Sequence, residues 1–87
     1  MTPFVWNFKG HGVVDLNVPL LNAGVGTDSR IVASATELGI FGGEEAPFIG
    51  QASIQVLNIA PGKDHALIRV NILWGSDINV RINGLII

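Results

Sequence analysis

The chain has 87 residues, a net charge of −2, 14% charged and 48% hydrophobic residues, and no cysteine. That length makes a single domain, 1–87, able to bury roughly 60–65% of its unfolded surface. Five Lys and Arg residues leave no basic footprint for nucleic acid, and the absence of thiols excludes disulfides and thiolate metal sites.

An average domain carries about 25% charged residues, so this surface must show more apolar and amide groups than usual. The mean hydropathy of +0.48 excludes disorder. No apolar run reaches the ~18 residues of a membrane span. The opening "MTPFVWNFKG" has neither the basic n-region nor the long apolar h-region of a signal peptide. A cytoplasmic location is the default expectation.

Gly and Pro punctuate the chain at strand spacing. "FVWNF" alternates, with Phe4, Trp6 and Phe8 on one face. "VVDLNVPL" alternates again, setting Val14, Leu16, Val18 and Leu20 against Val13, Asp15 and Asn17. "NAGVGTDS" is a loop by composition, as are "GGEEAP" and "PGKDH". Between the first two, Ser29 to Phe41 admits two readings. As a helix it would be capped by Asp28 and ended by Gly39. As a strand, "RIVASAT" is short, β-branched and set among strands, which is the preferred assignment.

From Gln51 onward the chain is rich in Ile and Val. A two-residue loop at Gly75-Ser76 would set apolar against polar on every rung of a hairpin. A three-residue loop, Gly75-Ser76-Asp77, pairs Trp74 with Ile78, Ile72 with Val80, and Val70 with Ile82, leaving one face wholly apolar. Burial selects the second register. The same arithmetic sets Ile54 opposite Ile72 and Val56 opposite Val70, completing a three-stranded meander. Asn83-Gly84 marks a bulge or a close approach.

Candidate chemistry is sparse. His11 and His65 lack any spacing that suggests a metal site. Ser76, His65 and Asp77 supply the residue types of a triad but no nucleophile elbow. Glu44 and Glu45 are neighbours on extended chain and point to opposite sides. Trp6 and Trp74 alternate with apolar residues and are expected in the core. The one constellation with binding character is the polar face of the expected meander. It carries Arg69, Asn71, Asn79, Arg81 and Asn83, with no acid on the same face. Such forks and amides suit a carbohydrate or a small anion.

The last stretch, "NGLII", turns that polar face apolar. The three-residue-loop register puts Leu85 opposite Leu67, with Ile87 beyond, on a final strand lacking Pro and Lys to protect its edge. An interface through Leu67, Leu85 and Ile87 in a homo-oligomer, dimer or trimer, would cover them.

The sequence thus predicts an all-β fold: a small antiparallel β-sandwich or barrel of five to six strands with a C-terminal three-stranded meander. The expected role is a non-enzymatic structural or binding module acting as a homo-oligomer, without metal or cofactor. The alternative is a small lectin-like or anion-binding domain using the Arg/Asn-rich face.

Overall fold

Alternation of apolar and polar residues runs through nearly the whole chain, and the computed structural model, which describes all 87 residues, is built entirely of strands. They are β1 (Thr2–Gly10), β2 (Gly12–Pro19), β3 (Ile31–Phe41), β4 (Glu44–Phe48), β5 (Ser53–Gly62), β6 (His65–Leu73) and β7 (Ile78–Ile86). Two antiparallel sheets result, a four-stranded one in the order β1-β7-β3-β4 and a three-stranded one in the order β2-β6-β5. The all-β sandwich is as expected, with seven strands rather than five or six.

The core is one layer of side chains between the sheets. Ala66, Ile68, Val70 and Ile72 of β6 face Val80, Ile82 and Ile86 of β7, with Leu16 and Val18 of β2 beside them, all buried. Phe4, Trp6 and Phe8 of β1 pack against this cluster from the edge and stay half-buried. The thinnest dimension, 15 Å between Cα extremes, fits two sheets about 10 Å apart. Only 12 of the 87 residues are buried, so each central side chain matters.

Two sharp corners carry the chain between sheets at the same end of the sandwich. One is His11, between β1 and β2; Gly12 there takes φ +67°. The other is the segment Trp74 to Asp77, between β6 and β7. His11 Nδ1 donates to Asp77 Oδ1 at 2.5 Å and ties the corners together. At the opposite end the loop after β2 folds over the β5–β6 turn. The Leu20 amide donates to the Asp64 carbonyl and the Asp64 amide to the Val25 carbonyl, which tucks Leu20 and Val25 into the core.

The second corner corrects the expected meander. β5 and β6 do form a hairpin, with Ile54 opposite Ile72 and Val56 opposite Val70 as expected, followed by a bulge before Asn58. β6 and β7 do not pair: β6 bonds to β2 and β5, while β7 bonds to β1 and β3. Both strands still bury the expected faces, because in a sandwich those faces meet across the layer instead of lying side by side. Trp74 leaves the core at this corner and is 42% exposed. Its amide bonds to the Ile72 carbonyl two residues back, which breaks the strand alternation.

Ser29 to Phe41 contributes β3, as the strand assignment anticipated. "GGEEAP", expected as a loop, is a hairpin turn followed by β4. Gly42 and Gly43 take φ +60° and +83°, the two left-handed positions of a tight hairpin. Gly84 is a close approach, with the Phe4 ring lying against the Cα where a side chain would stand.

Candidate functional site

Strand alternation places Arg69 and Asn71 on the outer face of the three-stranded sheet. It places Asn79, Arg81 and Asn83 on the outer face of the four-stranded sheet. These are opposite sides of the sandwich. The expected single Arg/Asn face therefore does not form, for the same reason that the meander does not. Each half has its own chemistry.

On the three-stranded sheet Asp15 sits directly opposite Arg69. Arg69 donates Nε to Asp15 Oδ1 at 2.7 Å and Nη2 to Oδ2 at 3.0 Å, a two-pronged pairing that suits the planar guanidinium. The hydrogen bond from Arg69 holds the Asp15 carboxyl below its ordinary value, and Asp15 in turn raises Arg69. The expectation that no acid shares the arginine's face is thus corrected. Nothing local in the sequence announces that β2 pairs with β6; only the place of Asp15 on the polar side of its own strand could have suggested it.

On the four-stranded sheet Arg81 lies between Asn7 and Thr36 in one rung. Its Nε donates to Asn7 Oδ1 at 3.1 Å. Asn79 and Asn83 flank it along β7. This leaves an amide-rich stripe with one guanidinium and no aromatic ring on the same face.

The expected interface residues are likewise divided. Leu67, 47% exposed, has Asn17 and Ala60 as rung partners, not Leu85. Leu85 stands between Pro3 and Val32 and lines an open hollow of about 470 Å³ with Ser34 and Asn83. Ile87 is 61% exposed, yet its amide donates to the Arg30 carbonyl. β7 is flanked on both sides, so the expected unpaired final strand is corrected: the free edges belong to other strands.

The remaining titratable groups stay apart. His65 lies at the β5–β6 turn with Nδ1 against the Lys63 carbonyl, while Ser76 and Asp77 are at the far end and Asp77 is engaged by His11. No three His, Cys, Asp or Glu side chains converge. Glu37 is the one charged residue lining a hollow of about 170 Å³ between β3 and the segment leading into β5. No helix is long and apolar enough to cross a membrane. No family model matches the chain, and no curated protein or solved structure matches it.

Proposed function

We propose that this chain is a structural or binding module, not an enzyme, that works as an assembly of its own copies. The observation that carries it is the distribution of apolar side chains. Thirteen large hydrophobic residues are exposed, among them Val5, Val32, Leu67, Leu73 and Ile87, against 12 buried residues in all. Single exposed hydrophobics are ordinary. Here they recur on both outer faces and both ends of a chain with only 14% charged residues, and sparse charge weakens the usual resistance to association.

Separation of the titratable groups, with Arg69 neutralised by Asp15, supports a role without chemistry at a pocket. Sedimentation equilibrium on the full chain is the test, with a stable homo-oligomer expected at micromolar concentration. A monomer there overturns the proposal.

A further inference from the structure

Of the sheet edges, four are shielded. β4 is five residues long with two glutamates and Pro47. β5 carries a bulge at Val56–Asn58 and ends at Pro61 and Gly62. β2 holds the Asp15–Arg69 pair at its middle and ends on Pro19. The stretch of β3 not covered by β4 runs close beside β5. Bulges, prolines, charges and short length are the usual protections of an edge. β1 has its Pro3 and Lys9 only near its ends, and the five residues from Phe4 to Phe8 between them have none of these devices.

The direction of its free hydrogen-bonding groups follows from the ladder. Ile87 donates to the Arg30 carbonyl, so the odd-numbered residues of β7 bond toward β3. Its even-numbered residues then bond toward β1, where they meet Thr2, Phe4, Trp6, Phe8 and Gly10. The amides of Val5, Asn7 and Lys9, and the carbonyls of Pro3, Val5, Asn7 and Lys9, therefore point away from the sheet. They lie on the edge where the aromatic rings of Phe4, Trp6 and Phe8 are only half-covered.

We infer that the free edge of β1 pairs antiparallel with β1 of a second copy across a two-fold axis at Trp6, joining two four-stranded sheets into one of eight. The inference rests on the homo-oligomer reading and names its surface. An axis at Trp6 sets Val5 opposite Asn7, Pro3 opposite Lys9, Phe4 opposite Phe8 and Trp6 opposite its own mate. Every free amide finds a carbonyl, since the residue lacking an amide, Pro3, needs only to accept. Every aromatic ring meets another on the inner face, where cross-strand aromatic pairs stabilise a sheet. Lys9 meets no like charge. Moving the axis by one residue to either side preserves alternate bonding but shortens the overlap and leaves aromatic rings unmatched. Because the axis runs through the sheet, both three-stranded sheets lie on the same side of the joined sheet. The two half-open aromatic edges then close on each other.

Val5→Pro removes one outward amide while leaving the bonds to β7, and edge strands tolerate Pro where the amide faces outward. In sedimentation equilibrium the wild-type chain should be a dimer or an even multiple, and Val5→Pro should have half that mass with an unchanged circular dichroism spectrum. The chain has no cysteine, so a second test is clean even if Val5→Pro fails to fold. An equimolar mixture of Val5→Cys and Asn7→Cys chains should form a disulfide-linked dimer under mild oxidation, while neither variant does so alone.

A monomeric wild type overturns the parent reading and this one together. An assembled wild type whose mixed cysteine chains fail to cross-link overturns the β1 pairing alone, as does a folded Val5→Pro that keeps its mass. Cross-linking of either cysteine variant by itself overturns the axis at Trp6.

Discussion

Replacing Val70 by Asp and, separately, its neighbour Asn71 by Asp places the same carboxyl on opposite faces of β6. Val70 is fully buried, with Val14 and Val56 as its rung partners on either side. Losing its burial costs about 1.5–3 kcal/mol. An unpaired polar group in that site adds about 1–3 kcal/mol even when protonated. The whole domain, at about 0.05–0.15 kcal/mol per residue, has only about 4–13 kcal/mol to lose. Val70→Asp should therefore remove about 2.5–6 kcal/mol, a large share of that stability. Asn71 lies on the outer face, opposite Val13 and Gln55, and Asn71→Asp should change stability by no more than about 0.5 kcal/mol.

Urea unfolding followed by fluorescence is the assay, with Trp6 packed against the core as the probe. The pH dependence carries a sign. A carboxyl at position 70 has its folded-state pKa raised by burial, so the variant loses stability as the pH rises from about 4 through the folded value. Equal destabilisation by the two substitutions would refute the assignment of faces on β6.

Asp15 titrates in the opposite sense. Its folded pKa is depressed by Arg69, so the pair's contribution is complete above about pH 4 and fades as the pH falls through the folded value. Carboxyl NMR titration should place Asp15 lower in the wild type than in Arg69→Met, and equal midpoints would show that the pair does not persist in solution. Gly84→Ala forces a methyl group into the Phe4 ring and should cost about 1–3 kcal/mol in urea unfolding. Adding Phe4→Leu should recover part of that loss; if Gly84→Ala is neutral, the ring does not lie where the structure puts it.

Local alternation was a sound guide to faces. The inward residues of β1, β2, β6 and β7 are those the sequence pattern selects, from Phe4 through Leu16 and Val70 to Ile82. The β5–β6 hairpin is legible too, through its apolar pairs Ile54–Ile72 and Val56–Val70, whereas the bulge between Val56 and Asn58, which shifts the register by one before the turn, is not. Trp74 departs from the alternation because it stands in a corner, where a turn overrides the period of two. The Gly42-Gly43 hairpin is hidden in the sequence because the glutamates that follow resemble loop composition, although β4 needs its polar residues as an edge strand.

What the sequence determined by itself was which side of each strand is buried, since a slip of one residue exposes an entire apolar face. What the tertiary structure decided was which layer covers that side. Side by side in one sheet, or face to face across a sandwich, β6 and β7 would hide the same residues, so alternation cannot tell the two apart. The choice falls to contacts distant in sequence: Asp15 opposite Arg69, His11 against Asp77, and β7 held between β1 and β3. For that reason Arg69 and Arg81, neighbours in the pattern, stand on opposite faces of the molecule. For the same reason the open edge lies at β1 and not at the final strand.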